Sequence, residues 1–383
     1  MKILFVLTYY RPHVSGLTIY VERLAGALAA RGHEVTVLTS RYAKNLPLIE
    51  TVDGVRIVRV PVARRLNKGV LMPTFPFLSW REIQAHEVVS IHLPQVEGAL
   101  AVLLARLAGR KPIITYHCDL QMPPVWYGKI VDRLTFWDNL LAGKLADTIV
   151  AYTQDFAEHS PFLTRFGAKL RVILPPVVIP DPTQAGIEAL RERADLRDGQ
   201  NVIGFAARFA YEKGANYLIA AIPHILRSAP NARVVFAGPY GGDVIGETIW
   251  QDLQPLIRQY QSHLAFLGTL SPTQMADFFA LCDVVTVASI NNTESFGLVQ
   301  VEAFMCGTPV VATDLPGVRQ PVRMTGMGEI VPVADAEGLA RGVLKVLRAP
   351  DHYIRPRAEI MRLFDLERTV SEYEGLFEAK RAR

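Results

Sequence analysis

The chain offers little to suggest a metal site, a disulfide framework or a membrane span. Of its 383 residues only three are cysteines, Cys118, Cys282 and Cys306, odd in number and far apart. With no CxxC pair, neither a stapled scaffold nor a thiolate zinc site is predicted, and a reducing compartment fits best. No run reaches the ~18 apolar residues that a spanning helix needs. The start, MKILFVLTYYRPH, superficially resembles a signal peptide. Its apolar run covers only residues 3–7, however, and Arg11, Pro12 and His13 stand where small residues would precede cleavage. It reads as a buried first strand of a cytoplasmic protein. The charge excess is slight, 41 basic against 37 acidic side chains, so no nucleic-acid partner is expected. GxGxxG, HExxH, a Ser–His–Asp signature and a P-loop are all absent, which leaves dinucleotide-fingerprint, metalloprotease, hydrolase and kinase readings without support.

What is present is alternation. The length alone predicts about two domains. KILFVLTYY is followed by LTIYVERLAGALAARG, where Leu17, Val21, Leu24 and Leu28 recur at helical spacing and Gly32 stops the helix. EVTVLT, VRIVRV, VVSIHL, PIITY and DTIVAY then read as strands. The stretch LPPVVIPDP, residues 174–182, carries four prolines and marks a linker. Beyond it the pattern restarts with NVIGFAA, ARVVFAG, HLAFLG, DVVTVA and PVVAT, and SPTQ at 271–274 has the composition of a helix-capping box. Continuous apolar strands alternating with helices predict an α/β protein of two doubly wound, Rossmann-like domains with a ligand cleft at their strand C-terminal ends. The expected boundaries are 1–175, a proline-rich hinge at 176–185, 186–364, and a C-terminal helix at 365–383 crossing back to the first domain.

The chemistry concentrates in TESFGLVQVEAF, residues 293–304, an apolar helical stretch that nevertheless holds Glu294 and Glu302. Burying an unpaired carboxylate costs several kcal/mol, so each needs a partner or a ligand. One reading makes the start of the helix an anion site, with the amides of Gly297, Leu298 and Val299 free for a phosphate. Glu302 then reaches the hydroxyls of an attached ribose, and Glu294 points toward a reacting sugar. The other reading pairs Glu302 with a nearby cation and leaves Glu294 in solvent. The stretch alone admits either. In GFAARFAYEKG, residues 204–214, Arg208 and Lys213 follow a strand and precede a helix, on the rim where a diphosphate needs counter-charge. RPHVSGLT places Gly16 directly after strand one. The glycine-rich GPYGGDVIG, residues 238–246, has the wrong spacing for a dinucleotide loop. His117, in TYHCD, ends the strand PIITY and either fills a structural role or touches substrate through its ring or its carbonyl; Asp119 is a weaker candidate.

Together, HVSGLTIYVERLAGALAARGHEVTVLT, YHCD, RFAYEKG and above all ESFGLVQVEAFMCGTPVVATDLPG resemble the retaining glycosyltransferases of family 4, which have the two-domain GT-B fold. The resemblance spans nearly the whole chain and is most specific at the two glutamates separated by seven residues. It implies that Arg208 and Lys213 hold the donor diphosphate, that Phe296, Gly297 and Leu298 meet the donor through backbone amides, and that Glu302 binds the ribose. Gly16 would allow close approach of the donor, His117 would line the reacting centre and Glu294 would contact the transferred sugar. No metal and no cofactor are implied; the nucleotide sugar, a UDP- or GDP-sugar, is a substrate. Front-face transfer with retention is the implied mechanism, with domain closure excluding water. One departure stands out: Gln320 follows DLPGVR where the family often has an acidic residue.

The acceptor is implied only as a class, a carbohydrate or a lipid-linked or small molecule. Segment 64–81, RRLNKGVLMPTFPFLSWR, mixes cations with Phe75, Phe77 and Trp80 and reads first as a mobile, partly buried loop, second as a peripheral contact with the inner face of a membrane. A nucleotide-sugar epimerase of the same architecture and a non-catalytic nucleotide-sugar binder are the competing functions.

Overall fold

The short β-branched runs fold as two largely parallel sheets, one in each of two units of the chain, Met1–Pro176 with Asp365–Arg383, and Val177–Phe364. The computed structural model describes residues 1–66, 69–121, 128–241 and 248–380. Residues 67–68 of the basic–aromatic stretch, 242–246 of the glycine-rich segment and 381–383 of the basic C-terminal end lie outside the described residues.

The first unit runs β1 (Lys2–Val6), α1 (Gly16–Ala30), β2 (Glu34–Arg41), β3 (Ile49–Val52), β4 (Val55–Pro61), β5 (Arg64–Leu66), β6 (Gly69–Leu71), α2 (Phe75–Ala85), β7 (Val88–Leu93), α3 (Gly98–Leu107), β8 (Ile113–Tyr116), α4 (Gly128–Leu145), β9 (Thr148–Ala151), α5 (Gln154–His159) and β10 (Leu170–Val172). Eight strands form one sheet in the order β10-β9-β8-β7-β1-β2-β4-β3, parallel except for β3. β7, β8 and β9 are buried along their whole length, which is why they read as unbroken apolar runs. Ser15 caps α1 by accepting from the Thr18 amide at 3.2 Å, and Tyr20, Val21, Leu24 and Leu28 form its buried stripe. Segment 64–81 is not the loop expected of it: β5 and β6 pair as an antiparallel hairpin, and α2 follows with Phe75 buried and Phe77 exposed.

The second unit runs α6 (Gln184–Arg193), β11 (Val202–Ala206), α7 (Ala215–Leu226), β12 (Arg233–Ala237), α8 (Ile249–Asp252), α9 (Gln254–Gln259), β13 (Leu264–Gly268), α10 (Pro272–Leu281), β14 (Val284–Val287), α11 (Leu298–Met305), β15 (Val310–Thr313), α12 (Gln320–Thr325), β16 (Gly328–Val331), α13 (Ala336–Arg348), α14 (Pro350–Tyr353) and α15 (Arg357–Leu363). Its six strands are all parallel, in the order β13-β12-β11-β14-β15-β16. The capping box of α10 is complete, with Ser271 and Gln274 each bonded to the other's backbone. The proline-rich linker is shorter than 176–185. Val177 and Ile179 are already buried, and the Thr183 side chain, itself held by Asp277, caps α6 from Gln184 onward.

The last helix, α16 (Leu366–Lys380), packs with the first unit. Val370, Tyr373 and Phe377 are buried, and burying side chains of this size contributes roughly 1.5–3 kcal/mol each. The Tyr373 hydroxyl lies 2.5 Å from that of Tyr20 and 3.1 Å from Thr115 Oγ1, while Lys380 Nζ reaches Asp147 at 2.6 Å. Among the described residues no helix is long and apolar enough to cross a membrane, and none of the three cysteines forms a disulfide.

Candidate functional site

In the second sheet β11 lies between β12 and β14. The strands after β11 add on one side and those after β14 on the other, so the order reverses between these two neighbours. A reversal of this kind leaves a crevice above the strand C-terminal ends, the usual ligand position in open parallel sheets. The two loops that rise there touch. Gly214, with φ of 72°, closes the loop after β11, and a Cβ on it would stand 1.9 Å from the carbonyl oxygen of Ala288 in the loop after β14. The Ile290 amide donates to the Glu212 carbonyl at 3.1 Å, joining the same two loops. Only glycine at 214 permits this approach.

That contact brings Lys213 and Glu294 together. Lys213 Nζ donates to Glu294 Oε2 at 2.6 Å, and the Gly297 amide donates to Glu294 Oε1 at 2.9 Å, with the Phe296 amide bonded to the same carboxylate. Burial pushes the Glu294 carboxyl up, but the charge and hydrogen bond of Lys213 and the two amides outweigh it and hold the group below its ordinary range. Glu294 is therefore neither solvated nor an isolated buried charge. Its carboxylate ties up the loop that opens α11, and the Gly297 amide, expected among the free amides of Gly297, Leu298 and Val299, is already engaged. Arg208 is likewise engaged, in an ion pair with Glu212. The two cations expected to neutralise a diphosphate are each matched by a carboxylate, so the cluster of four carries no net charge.

Gly297 adopts φ of 75°, and a Cβ there would fall 2.6 Å from Gln300 Nε2. Gln300 is fully buried and donates to the Phe296 carbonyl at 2.9 Å and the Val318 carbonyl at 2.8 Å, tying the loop before α11 to the DLPGVR turn. In that turn Gln320 begins α12, and its amide donates to the Gly317 carbonyl at 3.1 Å. Phe296 is buried against Phe364, with ring centroids 6.1 Å apart. Leu298 is the first residue of α11 and Glu302, buried, lies in its second turn. Arg208, Lys213, Glu294, Phe296, Gly297, Leu298 and Glu302 thus all belong to the two loops at this reversal and to the helix they open.

The first sheet reverses between β1 and β7. Gly16 begins α1 on the chain leaving β1. It is exposed, and a Cβ on it would meet nothing within 4 Å, so folding does not demand glycine there. After β7 comes Gln95, whose buried Nε2 has no hydrogen-bond partner, and then Glu97, which burial pushes up to about 7. Asp138 on α4, raised to about 6 by burial, accepts from the Ala99 amide at 3.2 Å.

His117 fits the structural one of its two readings. Its ring is buried, with Nε2 2.8 Å from His92 Nδ1 and Nδ1 bonded to the Tyr152 hydroxyl. The Tyr20 ring stands edge-on, with centroids 5.0 Å apart. Burial, reinforced by His92, holds the imidazole well below its ordinary pKa, so it is neutral. Both ring nitrogens have partners inside the unit. Asp119 is structural as well, accepting from the Tyr116 hydroxyl at 2.9 Å and the Ser160 hydroxyl at 2.7 Å.

Glu212, Gln300 and Gln95 were not singled out from sequence. Glu212 carried a signal, four residues after Arg208 inside the same motif. Gln300 and Gln95 carried none, because a glutamine on an apolar helix or after a strand becomes informative only when its hydrogen bonds are known. Among the described residues no group of three or more His, Cys, Asp or Glu is placed to hold a metal ion.

Sequence comparison agrees with this arrangement unit by unit. The family model described as Glycosyl transferases group 1 matches residues 186–360, and that described as Glycosyl transferase 4-like domain matches 15–176. The chain belongs to the family-4, group 1 glycosyltransferases. This glycosyltransferase is 29% identical to D-inositol 3-phosphate glycosyltransferase of Kineococcus radiotolerans, over 91% of its own length and 81% of that protein's. It is 23% identical to phosphatidyl-myo-inositol mannosyltransferase of Mycobacterium leprae, over 99% and 96%. Among solved structures it matches sucrose-phosphate synthase from Thermosynechococcus elongatus with a TM-score of 0.77 at 19% identity, covering 98% of each chain. It also matches HepE of Anabaena in complex with UDP-glucose, with a TM-score of 0.76 at 19% identity over 99% of this chain and all of that one. These structures establish the GT-B fold, two Rossmann-like domains.

Proposed function

We propose that this glycosyltransferase takes its sugar from a nucleoside-diphosphate sugar, a UDP- or GDP-sugar first, and transfers it with retention to a hydroxyl of a carbohydrate, lipid-linked or small polyol acceptor, without a metal. The observation that carries the reading is the Lys213–Glu294–Gly297 cluster at the reversal of the second sheet, where the Gly214 contact fixes two loops against one another. A diphosphate there meets Lys213 and Arg208, and Glu302 on the same helix supplies a carboxylate for the ribose. When the bond between the sugar C1 and the diphosphate oxygen breaks, negative charge grows on the leaving group and positive charge on the sugar ring. Lys213 and Arg208 stabilise the first of these electrostatically. The acceptor oxygen bonds to C1 from the same face, and its proton leaves on the diphosphate.

Glu294 supports this route over a covalent one. Three donors already occupy its oxygens and its basicity is depressed, both of which make it a poor nucleophile. A carboxylate accepts about four hydrogen bonds, which leaves room for one sugar hydroxyl. In the first unit, Gln95 Nε2 and Glu97 are the groups we assign to acceptor hydroxyls, on the strength of the unsatisfied amide and the raised carboxyl. The relatives are named as transferases and a synthase, which favours transfer over epimerisation or passive binding. Cysteines that form no disulfide suit a reducing, cytoplasmic setting.

The test is turnover with UDP- and GDP-sugars, with the anomeric configuration of the product read by NMR. Retention is expected, and Glu294→Gln should lower kcat about 100-fold with donor affinity changed only a few-fold. An inverted product, or a Glu294→Gln enzyme at the wild-type rate, overturns the reading.

A further inference from the structure

The longest helix of the first unit leaves a large apolar stripe uncovered. On α4, Ile130, Leu134, Trp137 and Leu141 are each between 51% and 66% exposed. Their spacing is helical, and at 100° per residue the four fall within an arc of about 60°. The remaining exposed residues of α4 are Lys129, Arg133 and Lys144, all cations, in the adjoining arc. No acidic residue of α4 is exposed: Asp132 and Asp138 are half-buried, and Asp138 is bonded to the Ala99 amide of α3. That bond and the one from Arg106 Nε to the Leu145 carbonyl, 2.7 Å, lay α3 alongside α4. α3, packed beside it, exposes Leu103 and Leu107 in turn, together with the cation Arg106.

We infer that this face of α4 and α3 docks in the plane of an anionic lipid bilayer. A helix with a tryptophan and branched aliphatics on one strip and only cations on the next is built to lie at the headgroup boundary, its apolar side chains among the upper acyl carbons and its cations among phosphates. Each cation near an anionic surface adds further attraction, which falls off within a Debye length. A second copy of the chain is a poor occupant, because a self-complementary contact through this face would set Lys129, Arg133 and Lys144 against their own copies with no exposed acid on α4 to relieve them. The surface does not depend on the donor chemistry proposed above. It deepens the acceptor reading, since a docked first unit would meet lipid-linked acceptors at the membrane.

The experiment is flotation of the full-length protein with phosphatidylcholine vesicles with and without phosphatidylglycerol, at low and high salt. Binding to the anionic vesicles that weakens with salt is expected. Leu134→Ser with Trp137→Ser, and separately Lys129→Glu with Arg133→Glu, should each reduce the bound fraction at least about tenfold. Both variants should keep the wild-type Tm and the wild-type rate on a water-soluble acceptor. No binding by the wild-type protein, or binding that both variants retain, overturns the inference. So does a wild-type dimer that the apolar variant converts to monomer without any change in flotation. Because the rate on a soluble acceptor is read separately, failure here is distinguishable from failure of the donor assignment.

Discussion

Gly16→Ala separates a residue kept for folding from one kept for a ligand. Gly16 occupies the first position of α1, behind the Ser15 cap, and an added Cβ meets no atom within 4 Å. Its φ is not in the left-handed region, so alanine introduces no backbone strain. Alanine in a helix is favoured over glycine by up to about 1 kcal/mol, less at a terminus, so stability should hold or rise. For a domain of this size that is a change in Tm between zero and about +4 °C. Activity should move the other way. If a donor passes close over this loop, the methyl occupies its path, and displacing a substrate by about 1 Å is enough to cost ~100-fold in rate. The expected loss in kcat/KM is therefore about 100-fold, or ~2.7 kcal/mol of transition-state stabilisation. Scanning calorimetry and initial rates on the same preparation measure both. Unchanged kcat/KM would show that nothing approaches Gly16, and a fall in Tm parallel to the loss of rate would show that the glycine serves the fold.

Gly214→Ala should do the reverse. It adds left-handed strain of about 1–2 kcal/mol to a Cβ 1.9 Å from the Ala288 carbonyl oxygen, and should destabilise the second unit by about 3 kcal/mol or more in denaturant unfolding; a loss under about 1 kcal/mol would mean that the two loops do not touch. Ser271→Ala removes the capping box of α10 and should cost about 1 kcal/mol in the same assay, with wild-type stability contradicting the cap. For His92, burial holds the folded-state pKa down to about 3, whereas the unfolded chain takes up a proton below about 6.5. Its contribution is complete above pH 6.5 and is lost as the pH falls through that window. Glu97, raised to about 7, titrates with the opposite sign, so the comparison is with His92→Gln. The stability advantage of the wild type over that variant should shrink by up to about 1.4 kcal/mol per pH unit below pH 6, and a difference independent of pH would contradict the buried neutral ring.

Strands with both faces covered were legible because their sequences are unbroken apolar runs, as in VVSIHL and PVVAT. Of the four edge strands of the two large sheets, only β13, in HLAFLG, was; the other three were not. β3 is antiparallel and half-exposed, β10 is short and β16 begins at a glycine, so none carries the run or the alternation that marks a strand. Arg59, in VRIVRV, shows the same limit. It is buried, held by the Pro47 and Arg11 carbonyls and by Glu50 of the unforeseen β3, a pairing that the local pattern cannot report. At the site, the positions of Arg208, Lys213, Glu294 and Glu302 followed from strand ends and helix starts. Their partners did not. That Lys213 takes Glu294 depends on how closely two loops approach, and that is decided by Gly214 against Ala288. The setting of His117 was hidden for a related reason, because the histidine beside its ring, His92, lies on another strand.

Calorimetric titration of UDP, GDP and ADP into the wild-type enzyme and into Lys213→Met bears most directly on the central claim, that a nucleoside diphosphate is held where the loops after β11 and β14 meet. The account predicts saturable binding of at least one nucleotide by the wild-type protein and at least about tenfold weaker binding by Lys213→Met, the loss of one charge-assisted contact, at unchanged Tm. Wild-type affinity in Lys213→Met, or no binding of any nucleoside diphosphate, would contradict it.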